Sequence, residues 1–418
     1  MSNSSKLTRR AVLSNSGKMA LGLGAAGWLA RKTHAAPRKV LGANDRITMG
    51  LIGAGNQGTQ DMSNACGAPN AVCVAVCDVA EFRTASSAAA ISKAMEDKGN
   101  TGIKVDSYYD HRKLLERSDI DAVLIATPDH WHMAVFLAAL EAGKHIYQEK
   151  PMSKTLEQGY KMLAGAQKHP ELTIQIGTQR RSGGQYPKAK ALIDEGKIGD
   201  ITFAKCYDCR NWVMSGDPFA PREVTGKIDW DTFQKPCEHK VDYDPWRYFA
   251  WRWYWDYANG LVTDVGVHVL DVVHWLTDQY TPKSVVCNGG VYGMKRWETP
   301  DVVNAVWDYG KHSVVFTANF TNGYEGAGLT IYGTKGMIQV RQKGIEFWEE
   351  GKRDKPEVTI PAEDRSHPHN WIECIRSGKE PNAPAELGLR SLLPLHLANM
   401  AYREGKKITW DAENKKAS

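Results

Sequence analysis

The first 36 residues of this 418-residue chain contain no aspartate or glutamate. Their six basic residues, Lys6, Arg9, Arg10, Lys18, Arg31 and Lys32, exceed the whole chain's net charge of +5, so the remainder is one charge negative. A body so close to neutral has no electrostatic footprint for a nucleic acid partner. No apolar run approaches the roughly 20 residues that cross a bilayer as a helix. Eight cysteines in 418 residues are too sparse for a disulfide scaffold, and no internal repeat is visible. Apolar residues at 42% and charged residues at 24% exclude collagen-like, coiled-coil and wholly disordered chains. The length predicts two to three domains.

What the first segment does contain has the form of an address. Thr8-Arg9-Arg10-Ala11-Val12-Leu13 sets two adjacent arginines before an apolar pair. A short Gly- and Ala-rich run, Met19 to Ala30, follows, and Thr33-His34-Ala35 closes it with small residues. Residues 1–36 resemble a twin-arginine export signal. They predict engagement with the export machinery and a periplasmic location, or a cytoplasmic one if the signal is not used. That route carries folded chains, so a cofactor would be loaded before export.

From residue 45 to about 170 the pattern alternates between buried strands and helices. Ile47–Ile52, Ala71–Val76, Ala122–Ala126 and His145–Tyr147 are apolar and strand-like. Helical stretches separate them, giving an α/β reading with a doubly wound parallel sheet, a Rossmann dinucleotide-binding domain. Gly53-Ala54-Gly55-Asn56-Gln57-Gly58 sits at the first strand-to-helix turn. There Gly53 permits the turn, Gly55 lets backbone approach a pyrophosphate, and Gly58 allows close helix packing. Asn56 and Gln57 open the helix whose free N–H groups would face that anion. Asp78, twenty residues beyond Gly58, can accept hydrogen bonds from a ribose 2′-hydroxyl and would repel a 2′-phosphate. NAD is favoured over NADP, with Arg83 the one feature that could favour the phosphate.

Three further strings follow in order: Ala126-Thr127-Pro128-Asp129-His130-Trp131-His132, Glu149-Lys150-Pro151, and Asp264-Val265-Gly266-Val267-His268. Together with the glycine string they resemble the Gfo/Idh/MocA family of nicotinamide-dependent sugar and polyol oxidoreductases, over residues 45–410. The resemblance implies an NAD(P)-dependent enzyme acting on a CH–OH group. It implies that Lys150 hydrogen-bonds the reacting carbinol, and that Thr127, Pro128, His132 and Glu149 lie along the cofactor. His268 becomes the base, oriented by Asp264, and a lysine charge suits a developing alkoxide. Asp264 and His268 are four apart and would share a helix face, with Gly266 leaving room for a ligand or another backbone. Asp271, on the same stripe, reads as structural. His130 and His132 with Asp129, the His367–His369 pair and Cys206-x-x-Cys209 are better explained without a metal.

The second half, 171–410, reads as an α+β domain with an open-faced, largely antiparallel sheet. In the family such a face commonly joins copies, so a homo-oligomer (dimer or tetramer) is expected. An insertion-like stretch, 211–259, holds six of the 14 tryptophans: Trp212, Trp230, Trp246, Trp251, Trp253 and Trp255. Aromatic faces stack on sugar rings, so the stretch reads as a carbohydrate rim that includes Trp253 and Tyr254. A tryptophan-packed lid or an oligomer contact explains it equally well. Arg180 and Arg181 are candidates for an acidic group on a sugar, although a near-neutral body suits an uncharged one. The substrate is expected to be a small sugar, polyol or glycoside. An exported enzyme meets no free NAD pool, so a tightly held cofactor is expected. That keeps a second reading open: a glycosidase, lyase or epimerase that oxidises transiently with no net redox.

Overall fold

The structure is a computed structural model and describes residues 46–418; residues 1–36, with the export expectation attached to them, lie outside the described residues. Six parallel strands form the first sheet: β1 (Ile47–Ile52), β2 (Ala71–Cys77), β3 (Asp106–Tyr108), β4 (Ala122–Ile125), β5 (His145–Gln148) and β6 (Ile174–Ile176). Their order is β3-β2-β1-β4-β5-β6. All four residues of β4 are buried, as expected of a parallel strand covered on both faces by helices. The chain reverses direction across the sheet between β1 and β4, and the crevice at their carboxyl ends is where such sheets bind ligands. β6 carries this sheet past residue 170, where the sequence pattern ended it.

Glycine is required where the ends of β1 and β4 meet. Gly53 has φ +92°, and a Cβ there would stand 2.5 Å from the Ala126 carbonyl carbon and the Thr127 nitrogen. A Cβ on Gly58 would strike the Gly53 carbonyl oxygen, so helix Asn56–Ala65 packs directly on the turn.

Ten strands form the second sheet: β7 (Ile201–Cys209), β8 (Ser284–Gly290), β9 (Val302–Asp308), β10 (Ser313–Asn319), β11 (Ala327–Gly333), β12 (Gly336–Arg341), β13 (Gly344–Glu349), β14 (Val358–Pro361), β15 (Ile408–Asp411) and β16 (Lys416–Ala417). They run in the order β14-β13-β12-β11-β7-β10-β9-β8-β15-β16. Only β7 and β10 pair in parallel. Along β10 burial alternates residue by residue, so Val314, Phe316 and Ala318 pack inward while the opposite face stays open. Helices Gly266–Thr277 and Ala385–Glu404 cover the inner face, and the Trp307 indole donates 2.9 Å to the Pro394 carbonyl. Gly266 serves this packing. A Cβ there would meet Leu395 at 3.0 Å and Phe316 at 3.4 Å, so the space it leaves belongs to core side chains and not to a ligand.

Two devices tie the sheets together. Helix His367–Ser377 returns to the first sheet, where Trp371, Ile372 and Ile375 join Ile47, Met49 and Tyr147 in one core. Arg181, just beyond β6, grips both carboxylate oxygens of Asp271 on helix Gly266–Thr277, and Ser391 also donates to that carboxylate. Both partners are buried, which takes Arg181 away from any substrate. Among the described residues no disulfide joins the eight cysteines, and all but Cys287 are buried. Cys206 and Cys209, three apart on β7, point to opposite faces.

Removing one member of a buried ion pair strands the other charge, at a cost of about 3–5 kcal/mol. Arg181→Ala and Asp271→Ala should each lower the unfolding free energy by that order in a urea titration. A joint replacement by Met and Leu should recover most of the loss. A single-variant loss below about 1 kcal/mol would place the pair in solvent-like surroundings.

Candidate active site

A cavity of about 850 Å³ runs along the carboxyl ends of β1, β2 and β4. Gly53, Gly55, Asn56, Gln57, Gly58, Asp78, Thr127 and Pro128 all line it. Helix Asn56–Ala65 begins there with Gly55 at its N-cap and no side chain capping it, so its first N–H groups are left for an anion. Where a Cβ on Gly55 would sit, the nearest protein atom is Arg83 Nη1 at 3.5 Å, so the protein leaves open the path by which a pyrophosphate would approach. These features fit a dinucleotide.

Asp78, at the end of β2, accepts the Ala54 amide at 2.9 Å on Oδ2 and the Ala80 amide at 3.0 Å on Oδ1. Each oxygen retains a lone pair for a ribose hydroxyl. Burial pushes this carboxyl up, and the Arg83 charge opposes that push. Arg83 lines the same cavity and is held in part by protein. Its Nε donates 2.9 Å to the Tyr248 hydroxyl, and the rings of Phe82, Tyr248 and Phe249 surround its guanidinium.

Lys150 follows β5, and its peptide bond to Pro151 is cis. Lys150 Nζ donates 2.9 Å to the Asp264 carbonyl and 3.0 Å to Asp264 Oδ1. An ammonium has three donors, so one remains for a substrate oxygen. Asp264 closes the short helix Gly260–Asp264, and Val265 separates it from helix Gly266–Thr277. The two residues therefore lie on consecutive helices, not on one helix face. Burial alone would raise the Asp264 carboxyl, but Lys150 and Arg252 outweigh it and hold it at about 2. It stays ionised as the anchor for both cations. Arg252 Nε lies 3.6 Å from Asp264 Oδ1 and stacks on Trp251 and Phe219. No local pattern in the sequence marked this contact, which arrives from the insertion.

His268 stands in the first turn of its helix and lines a second cavity of about 1000 Å³ together with Arg180, Asp208 and Arg210. Burial first, then the charges of Lys150, Arg180 and Arg210, drive its imidazole well below its ordinary range, against the pull of Asp264. The ring is neutral at neutral pH, the form a base needs. Asp129 is buried nearby; burial and then the Asp264 charge push its carboxyl up to about 8.

His132 and Glu149 stand behind the cofactor cavity without lining it. His132 Nδ1 lies 2.7 Å from the Pro151 carbonyl oxygen and Nε2 lies 2.8 Å from that of Thr127, bracing the lysine turn against the cofactor turn. Glu149 accepts the Lys150 amide at 3.2 Å and the Tyr147 hydroxyl at 3.4 Å. Burial and the Asp61 charge push the Glu149 carboxyl well above its ordinary range. His130 reaches the Phe233 carbonyl, and His367 lies between Ser182 and the Ile176 carbonyl.

Trp253 and Tyr254 correct the carbohydrate-rim reading. Trp253 is 0% exposed and stacks on Trp297, with centroids 3.9 Å apart. Tyr254 is also buried, with the Arg247 guanidinium 4.6 Å over its ring. The faces of these two rings are occupied by protein, so neither residue is offered to a sugar.

Lys150→Ala and His268→Ala should each reduce kcat by roughly a hundredfold to ten-thousandfold while near-ultraviolet circular dichroism stays native. Full activity in either variant would remove that residue from the chemistry. Because His268 is held neutral, kcat/KM should stay level from about pH 7 down to about pH 6. A fall centred on the ordinary imidazole range would show that its charged neighbours do not act on it.

Two family models match in succession: an oxidoreductase family with an NAD-binding Rossmann fold over residues 47–178, and a GFO/IDH/MocA C-terminal domain over residues 186–339. The chain is 30% identical over 203 residues to the uncharacterized oxidoreductase YrbE of Bacillus subtilis (strain 168), covering 49% of this chain and 53% of that one. It is 27% identical over 237 residues to a glycosyl hydrolase family 109 protein of Saccharopolyspora erythraea, covering 52% and 50%. The matched region therefore spans about half the length of these curated relatives. The fold matches that of levoglucosan dehydrogenase, solved with NADH and levoglucosan, with a TM-score of 0.66 at 20% identity over 87% of this chain and 99% of that one. Glycine turn, lysine turn and Asp–His pair stand on the two domains those models describe, and the chain belongs to the Gfo/Idh/MocA family of NAD-binding oxidoreductases.

Proposed function

We propose that this chain retains NAD through successive turnovers and uses it on a CH–OH group of a sugar or polyol. The supporting observation is the cover over the cofactor cavity. Segment 211–259 supplies Phe219, Phe233, Tyr248 and Trp251 to the cavity wall and is stitched to the Rossmann lobe beside it. Asp229 donates 2.9 Å to the Val79 carbonyl, Glu81 donates 3.0 Å to that of Lys227, and Lys227 donates 3.0 Å back to Glu81 Oε2. The Arg83–Tyr248 bond and the Trp131 indole bond to the Phe233 carbonyl, 2.8 Å, close the other side. A dinucleotide leaving this cleft would have to break several such contacts together.

Bound NAD would supply the hydride acceptor. His268 takes the hydroxyl proton, and the remaining Lys150 donor holds the oxygen as it becomes a carbonyl. Asp264 fixes the lysine in that direction. In the return step the same groups act in reverse: Lys150 holds the carbonyl oxygen and His268 gives back the proton. The covered cleft also favours a second reading, in which the oxidation is reversed within one cycle and a glycosidic bond is cleaved or a centre epimerised. The twin-arginine-like segment 1–36 supports action in the periplasm. The open sheet face, with Val286 and Val306 exposed, supports a homo-oligomer.

Protein purified and dialysed exhaustively should release close to one NAD per chain on denaturation, and Tyr248→Ala should release it during dialysis. Loss of cofactor from the native protein on dialysis would overturn retention. A keto sugar should bleach the bound NADH absorbance. Release of a free aglycone without NADH accumulation would select the second reading.

A further inference from the structure

We propose that Arg180 forms a carboxylate subsite, so that the preferred substrate is a sugar acid. This rests on the sugar reading above and narrows it. Arg180 lies in the 3-10 turn Gln179–Ser182, beyond the carboxyl end of β6, and faces the same cavity as His268. Its charge is one of those that act on the His268 ring, in keeping with the cavity the two residues share.

Lys98 and Arg341 also line this cavity but are exposed, and the other partly or fully buried cations around His268 are already committed. Lys150 is held by Asp264, and Arg252 reaches the same carboxylate. Arg210 grips both oxygens of Asp208 at 2.8 Å each, and Arg181 is locked on Asp271. Half-buried Arg180 stands apart: among the described residues its guanidinium has no ion pair and no side-chain hydrogen bond. A partly desolvated guanidinium without an anion is unfavourable, and its planar fork matches two coplanar oxygens on one carbon. Asp61, Asp208 and Asp364 line the cavity too, yet among the described residues no carboxylate pairs with Arg180. A substrate carboxylate would complete the pair and fix which carbon of the ring faces Lys150 and His268. The near-neutral charge of the body as a whole is no obstacle, because recognition of one carboxylate needs one local cation and no extended field.

The test uses the NAD-loaded full chain, titrated with D-glucuronate against D-glucose and D-galacturonate against D-galactose. Binding is followed by tryptophan fluorescence and turnover by the NADH band. The acid should outbind its neutral partner by roughly 10- to 100-fold in at least one pair, as expected for a charge-assisted contact. Arg180→Gln should collapse that ratio to near unity, and Arg180→Lys should keep part of it. Equal affinity for acid and neutral sugar would overturn the subsite while leaving the sugar reading intact. So would an acid preference that survives in Arg180→Gln, or tighter binding of glucose 6-phosphate than of either acid. No fluorescence or absorbance response to any of these compounds would overturn the sugar reading and the subsite with it. Native circular dichroism and retained NAD in both variants separate each result from misfolding.

Discussion

One ion pair organises the centre of this molecule. Lys150 and Asp264 are 114 positions apart in the chain, one at the end of a parallel sheet and the other ahead of the helix that carries His268. Two charges taken out of water need close geometry and further hydrogen bonds to be tolerated. This pair has both, since the lysine also reaches the Asp264 carbonyl, and Arg252 brings a second cation to the same carboxylate. One ionised aspartate therefore aligns the Rossmann lobe, the second lobe and the insertion on a common point. The break between helices at Val265 turns Asp264 toward the lysine while the next helix presents His268 to the cavity it shares with Arg180.

Around that point the protein divides its polar work. His132 braces two turns through backbone carbonyls, and Glu149 is buried behind the lysine. Neither has to meet a ligand in order to matter, because each fixes the backbone that carries a group that does. The aromatic cover does similar work at larger scale. Trp212, Trp253, Trp297 and Phe320 pack edge and face into one cluster that joins short helices of the insertion to the second lobe.

The parts legible in sequence were those whose requirement is local. Gly53 and Gly58 have no room for a side chain, and the strand, turn and helix around them carry period and composition that say so. Glu149-Lys150-Pro151 and Asp264-x-Gly-x-His268 are short strings on element ends, and the structure brings Lys150 and Asp264 into contact. The insertion was different. Six tryptophans suggest a sugar rim and a packed lid with equal force, because composition does not tell which face of a ring is covered. Trp253 meets Trp297 and Arg83 meets Tyr248, the latter 165 positions apart, and no periodicity encodes such pairings. Gly266 shows the same limit: it reads as space for a ligand, yet the neighbours that need the space, Phe316 and Leu395, arrive from elsewhere in the chain.

The cysteines have a consequence of another kind. No bond between sulfurs holds the described part of the chain, and burial pushes the Cys73, Cys206 and Cys287 thiols up to about 12. Thiols kept protonated this firmly are poor nucleophiles toward oxidants. The described part of the chain is therefore held by packing and hydrogen bonds, and burial keeps these three sulfurs from being the groups that react first.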